Sequence, residues 1–324
     1  MTSATCAPIL IVGCRRSGTT LLRNLLNQHP DLLVHPDEPQ FLLEIRERFG
    51  DPVRPLDEAL AYLLAHPYLP KFITKTMLEN AFRGQDECPF SQFLARYLQV
   101  FQTSQQYKQR IVLKDPSLVF HLDTIHQILP DVHIVHIVRD ARANVSSQRA
   151  RWPNASVWEC ACWWRNAVRS ARYWKEQTLT PFTELTYEDL TSQPEETMRQ
   201  LCKSLSIAFT PDLLTVRYNQ VIYTPNQKPQ KVSFNSFDTA RLTLWQERLS
   251  PLDVALIELC CAREMDWWHY PLQNPSIPTA QLQRRLWRER IHYFLLRNGR
   301  SLKYFLRKIG WRFGFHRSKI PPKN

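Results

Sequence analysis

Pro8-Ile-Leu-Ile-Val-Gly13-Cys14-Arg15-Arg16-Ser17-Gly18-Thr19-Thr20-Leu21-Leu22 is the stretch from which the rest of the chain can be read. Pro8–Gly13 is a β-branched apolar run that fits a buried strand. Leucines at 21, 22, 25 and 26 fall on helical spacing, and a short polar turn lies between. The spacing G-x-x-x-x-G-x-T is that of a phosphate-binding loop, where backbone N–H groups and a helix N-terminus hold phosphate oxygens. Only 7 of 324 residues are glycine, so two at this spacing argue for a backbone requirement. A loop for nucleoside triphosphates carries Lys after the second glycine. Here that position is Thr19, and the cations come earlier, at Arg15 and Arg16. No later apolar strand ends in a lone Asp suited to Mg²⁺; Val132–Val138 runs into Arg139-Asp140, arginine first. Arginine without a metal platform suits a nucleotide whose reacting group carries little charge. The plainer rival is a strand–turn–helix with solvated arginines.

Working outward, strand-like runs alternate with helical ones. Leu32–His35, Arg110–Leu113, Val132–Val138 and Pro181–Thr186 read as strands. Phe41–Phe49, Leu56–Leu64, Phe90–Phe101, Trp158–Glu176, Glu195–Ser206 and Leu252–Met265 read as helices, with another starting near Ala141 and one capped by Ser117 running to Leu129. This alternation predicts an α/β fold: a parallel sheet carrying the phosphate loop, with helices on both faces. The Pro-rich run Tyr270–Ile277 suggests a division into a nucleotide-binding domain, 1–274, and a basic helical tail, 275–324.

The net charge of +12 is confined to that tail. From Pro275 onward 13 Lys and Arg accompany one acid, Glu289, while the rest carries 29 of each sign. A neutral body argues against nucleic acid as the partner, and the tail suggests a local patch for phosphate-rich surfaces. With 44% hydrophobic residues the chain is too apolar for disorder, and no terminal apolar stretch approaches the ~20 residues of a spanning helix. The 8 cysteines show no zinc spacing and read as buried thiols of a reducing compartment. The N-terminus lacks a signal-peptide pattern. A cytoplasmic location is expected, with the tail offering peripheral attachment to the inner membrane face.

Arg16-Ser-Gly-Thr-Thr-Leu-Leu resembles the 5′-phosphosulfate loop of sulfotransferases that use PAPS (3′-phosphoadenosine 5′-phosphosulfate). Four further segments match in order. Lys114-Asp-Pro resembles a K-D-P strand end. Ile137-Val-Arg139-Asp-Ala-Arg142 through Ser147, with Ser eight residues after Arg, resembles the 3′-phosphate motif. Tyr187-Glu-Asp-Leu with Pro194-Glu-Glu-Thr resembles the segment bordering the adenine, and Trp245 before Leu249-Ser-Pro-Leu the end of the domain. His29-Pro-Asp31 after the first helix is similar to the bacterial and tyrosylprotein branches. The resemblance covers roughly residues 8–270. The glycine-rich 3′-phosphate loop of small-molecule cytosolic members is absent; Lys231–Trp245, with Ser233, Ser236 and Arg241, stands in its place.

The resemblance implies PAPS as donor, 3′,5′-ADP as product and no metal. It implies that Arg16, beside Arg15, and the backbone N–H groups of Ser17, Gly18, Thr19 and Thr20 hold the 5′-phosphosulfate. Arg139, Ser147 and Arg151 would hold the 3′-phosphate, and Tyr187 would contact the adenine, its rival role being packing under the sheet. Lys114 would neutralise charge on the leaving oxygen. Glu38, with Asp37 second, would take the proton of an acceptor hydroxyl or amine. That acceptor would belong to a peptide tyrosine, glycan, lipid or small molecule. Arg142 and Arg149 read as solvated helix-face charges, and His133 and His136 as packing or rim residues. The aromatic-rich region of Trp152, Trp158, Trp163, Trp164 and Trp174 reads as core, with part of it open to an acceptor cleft. The rival functions are a P-loop phosphotransferase or kinase, a degenerate binder that does not turn over, and a module led by its tail. In the tail, Leu282, Leu286, Ile291, Phe294 and Leu295 approximate one helical face, with Arg284, Arg285, Arg288 and Arg297 among them. A second helix, with Leu302, Phe305, Leu306 and Ile309, follows Asn298-Gly299. Two basic amphipathic helices suit an anionic membrane surface; the rival is apolar stripes packed on the body.

Overall fold

The computed structural model describes residues 7–36, 38–67, 69–104, 110–215 and 237–294. Five strands, β1 (Ile9–Gly13), β2 (Leu32–Val34), β3 (Arg110–Lys114), β4 (His133–Val138) and β5 (Phe182–Thr186), form one parallel sheet in the order β2-β3-β1-β4-β5. Alternate side chains of each strand point to opposite faces. Leu10, Val12, Leu113, Ile134 and Val138 enter a large core with helices Phe90–Ser104, Val157–Gln177 and Pro251–Trp267. Ile9, Ile11, Val112, Val135 and Ile137 enter a smaller one with helices Thr19–Leu26 and Pro194–Leu205. Helices therefore cover both faces, as the alternation predicts. Each buried Ile, Leu or Val contributes roughly 1.5–3 kcal/mol, and β1 is apolar on both faces, as a strand covered on both sides requires. The two strand histidines are absorbed by neighbours: His133 meets Thr183 Oγ1 at 2.8 Å, and His136 meets Glu184 Oε1 at 3.1 Å.

The register places the site. Gly13 lies beside Ile137 and Ile11 beside Lys114, so Lys114 and Arg139 leave the sheet on opposite sides of the phosphate loop. Open α/β sheets bind ligands at this carboxyl edge, where neighbouring crossovers diverge.

Two expectations are corrected. Ser117 does not cap the helix after β3. Asp115 does: its Oδ1 accepts from the Ser117 N–H at 2.8 Å and the Ser117 hydroxyl at 2.7 Å. With Pro116 next, this start favours a 3₁₀ turn, Pro116–Phe120, before the α-helix Leu122–Ile128. Arg142 is not solvated. It is 3% exposed and pairs with Asp140 Oδ2 at 2.6 Å and Glu258 Oε1 at 2.9 Å, over the Trp245 ring. Glu258 arrives from the helix Pro251–Trp267, so nothing near Arg142 in sequence announces it.

A helix over 279–294 follows the Pro-rich run. Leu282, Leu286 and Tyr293 pack against the large core. Buried Glu289 accepts from Arg285 Nε at 3.0 Å and the Trp158 N–H at 3.4 Å. The expected single apolar face is divided: Leu282 and Leu286 turn inward, while Ile291 and Phe294 are exposed. Leu295 and the second expected tail helix lie outside the described residues. Among the described residues no helix is long and apolar enough to cross a membrane. The seven described cysteines are free and buried.

Candidate active site

The loop between β1 and helix Thr19–Leu26 is held by contacts only glycine permits at two points. A Cβ at Gly13 would lie 2.5 Å from the Ile137 carbonyl oxygen, and one at Gly18 would lie 2.4 Å from the Tyr187 ring. Gly18 has φ +99°, and Arg16, at φ 69°, is also left-handed. The Ser17 N–H turns back to the Cys14 carbonyl at 3.2 Å. The first helical bond runs from the Leu22 N–H to the Gly18 carbonyl at 3.0 Å, and Gly18 brings no capping side chain. The N–H groups at Thr19 and Thr20 thus precede the helical ladder and face the loop's mouth. Beneath the loop, fully buried Asn144 donates to the Arg15 carbonyl at 2.8 Å and to Ser17 Oγ at 2.9 Å. Its own oxygen accepts from Gln148 Nε2 at 2.7 Å. This scaffold from helix Ala141–Arg151 fixes the loop before any ligand arrives.

On the β4 side, cations gather. Arg16 Nε donates to Ser147 Oγ at 3.2 Å. Arg139, 7% exposed, donates to the carbonyls of Arg16 at 3.4 Å and Arg241 at 2.7 Å, and its guanidinium lies 4.3 Å from the Tyr187 ring centre. Its Nε is buried without a partner among the described residues. Trp164 Nε1 donates to the Arg139 carbonyl at 2.7 Å and locks that backbone. Arg16 is exposed yet stands among other cations. Its pKa is lowered by burial first, then by the charges of Arg139, Arg151 and Arg241. Burial likewise lowers Arg139, against the raising influence of Tyr187 and Glu188. Such mutual depression marks a site that gains from a multiply charged anion. Tyr187 is itself buried, a plate between Gly18 and Arg139.

On the β3 side, Lys114 and Glu38 form an ion pair, the lysine buried and the carboxylate half-buried. Burial lowers the Lys114 pKa, and Glu38 works against that shift. Glu38 precedes helix Gln40–Phe49, which Gln40 ties to Ser117 Oγ at 2.8 Å. Asp115, fully buried with its Oδ2 unpartnered among the described residues, is raised to about 6 by burial and then by the Glu38 charge. Asp37 lies outside the described residues. Arg15 is exposed and sits 5.4 Å from the half-buried Trp163 ring, which meets Phe120 edge-on at 5.2 Å. Trp158, Trp164 and Trp174 are core.

The structure therefore brings Arg16, Arg139, Ser147, Arg151 and Tyr187 together on one side of the loop and Glu38 with Lys114 on the other. Sequence reasoning missed Asn144 and Gln148. Their i,i+4 spacing on the helix that opens after Arg139-Asp140 is the one signal that could have found them. Ser233 and Ser236 lie outside the described residues.

Comparison with known proteins gives the family. The model of the sulfotransferase family matches residues 8–211. Nodulation protein NoeE of Sinorhizobium fredii is 30% identical over 144 residues, 44% of this chain and 31% of that protein. Protein-tyrosine sulfotransferase 1 of Danio rerio is 26% identical over 212 residues, 64% of this chain and 55% of that protein. The chain spans about a third to just over half of these relatives' length. The sulfotransferase domain from the curacin biosynthetic pathway superposes with a TM-score of 0.60 at 19% identity, covering 83% of this chain and 100% of that one. The sulfotransferase domain from the Synechococcus PCC 7002 olefin synthase gives 0.59 at 23%, covering 84% and 98%. Those two likenesses establish a shared fold. With the family match running from β1 through β5 and well beyond half of its residues, the chain belongs to the sulfotransferase family.

Proposed function

We propose that the chain transfers a sulfuryl group from PAPS to a hydroxyl or amine acceptor and releases 3′,5′-ADP. The observation that carries this reading is Arg139: a buried guanidinium whose Nε has no partner among the described residues, joined to Arg16 and Arg241 through their carbonyls. That chemistry fits a phosphate dianion beyond the loop's own, as a 3′-phosphate provides. Bound there, PAPS supplies an activated sulfuryl group on a phosphate leaving group.

The residues divide the work. Arg139, Ser147 and Arg151, with Arg241 beside them, hold the 3′-phosphate; Arg16, hydrogen-bonded to Ser147, links that subsite to the loop. The helix N-terminus and the N–H groups at Thr19 and Thr20 hold the 5′-phosphosulfate. Tyr187 braces Arg139 at the adenine border. Lys114, whose charge Glu38 favours against the larger lowering effect of burial, stabilises charge on the leaving oxygen. Glu38 takes the acceptor proton as the oxygen attacks. A sulfuryl group carries less charge than a phosphoryl group, so fixed arginines and N–H groups supply the neutralisation. Relatives named as protein-tyrosine sulfotransferases favour a peptide tyrosine among the acceptors, and Trp163 with Phe120 offers a wall for its ring.

Two measurements test the proposal. Radiolabelled PAPS incubated with the chain and a cell extract should label a discrete acceptor. In calorimetry 3′,5′-ADP should bind at least about tenfold tighter than ADP, since charge-assisted hydrogen bonds to a phosphate contribute roughly 1.5–3 kcal/mol each. Equal affinities would remove the 3′-phosphate site.

A further inference from the structure

The geometry points to the outward face of the 279–294 helix as a docking surface for an anionic lipid bilayer. The inward face is already used: Leu282, Leu286 and Tyr293, each partly buried, pack against the large core, and Glu289 is held by Arg285 and the Trp158 N–H. These contacts fix the helix's rotation. They leave Trp287, Ile291 and Phe294, spaced i, i+4, i+7, on the opposite side, exposed by 67%, 38% and 62%. Among the described residues nothing covers that apolar stripe. Arg284 and Arg288 flank it on one side. Arg290 flanks it on the other and reaches the Trp158 ring at 5.5 Å.

Charge selects the occupant. Glu289 is the one acid from residue 275 to the end, and it faces inward, so the outward face carries cations alone. Tryptophan, phenylalanine and isoleucine between arginines match the headgroup–acyl boundary, where aromatic rings seat at the interface and guanidinium groups meet lipid phosphates. A nucleic acid would satisfy the arginines and leave the isoleucine and phenylalanine in water. A second copy of this chain would bring the same positive charge against them.

Flotation of the full chain with vesicles tests this. It should float with phosphatidylcholine containing about a third phosphatidylglycerol and not with phosphatidylcholine alone. A triple variant, Trp287→Ser, Ile291→Ser, Phe294→Ser, keeps every charge; Arg284→Gln with Arg288→Gln keeps the stripe. Both should unfold at the temperature of the unaltered chain, because neither set enters the core. Each should lower the floating fraction on the order of tenfold. Undiminished flotation of the triple variant would overturn the proposal by assigning the binding to other residues. So would failure of the unaltered chain to float, whether it instead retains single-stranded RNA or loses a dimer on substitution.

Discussion

Arg142 and Arg139 stand three residues apart at the end of β4, both almost fully buried, yet they belong to opposite kinds of region. Arg142 lies in an ion-pair knot. Burial alone would lower its pKa, but hydrogen bonds and charge from Asp140 and Glu258 raise it. Arg139 lies among arginines, forms no ion pair among the described residues, and has its pKa lowered, chiefly by burial. Lys114 is the middle case, a buried cation with Glu38 as its carboxylate. The series teaches that burial alone does not separate structure from function. A cation whose charge is cancelled inside the protein holds the fold together; one left facing backbone carbonyls and an aromatic ring is built for an anion from outside.

The largest effect is expected at the middle case. Glu38→Gln keeps shape and removes basicity, so sulfuryl transfer should fall by ~10²–10⁴ while 3′,5′-ADP binds normally. Lys114→Ala should fall comparably through the leaving group. A phenol acceptor of low pKa needs less help losing its proton; it should partly rescue Glu38→Gln and leave Lys114→Ala unrescued. A Glu38→Gln enzyme near full rate would move the base elsewhere, with Asp37→Asn the next variant to assay.

Arg142→Met tests the structural end of the series. It strands the carboxylates of Asp140 and Glu258 in the interior, which typically costs about 3–5 kcal/mol. Denaturant unfolding should show that loss. Arg139→Met should cost well under half as much, because no carboxylate is stranded and a desolvated cation is removed. Equal losses would erase the distinction between the two regions.

What the sequence showed of this site was the part set by local spacing. Gly13 answers to the Ile137 carbonyl and Gly18 to its own left-handed backbone and the Tyr187 ring; Lys114 and Arg139 stand at strand ends flanking the loop; Ser147 lies two turns into the next helix. The parallel sheet followed from the same alternation. The contacts that distinguish one arginine from another were not legible, because they close over long separations. Glu258 reaches Arg142 across 116 residues, and the Arg241 carbonyl reaches Arg139 across 102. In the sequence Arg139 reads as a phosphate ligand and Arg142 as a solvated charge, and nothing local shows that Arg142 is buried. The rotation of the 279–294 helix was likewise fixed by Glu289 and Trp158, 131 residues apart, and not by its own apolar period.

The smallest expected effect falls on binding and is the most specific. Arg139→Ala removes the guanidinium whose Nε has no partner among the described residues, while the Trp164 bond to its backbone carbonyl survives. The strand end should therefore stay in place, and Asn144 should still hold the phosphate loop. The loss should be confined to one ligand group: 3′,5′-ADP should weaken by about tenfold or more, the equivalent of roughly 1.5–3 kcal/mol for a charge-assisted hydrogen bond. ADP, without a 3′-phosphate, should be nearly unaffected, so the preference between the two should vanish. Calorimetry with both nucleotides separates the outcomes. If both weaken together, Arg139 supports the loop as a whole and belongs with Arg142. If neither changes, Arg16, Arg151 and Arg241 hold the anion without it, and the unpartnered Nε marks no phosphate site.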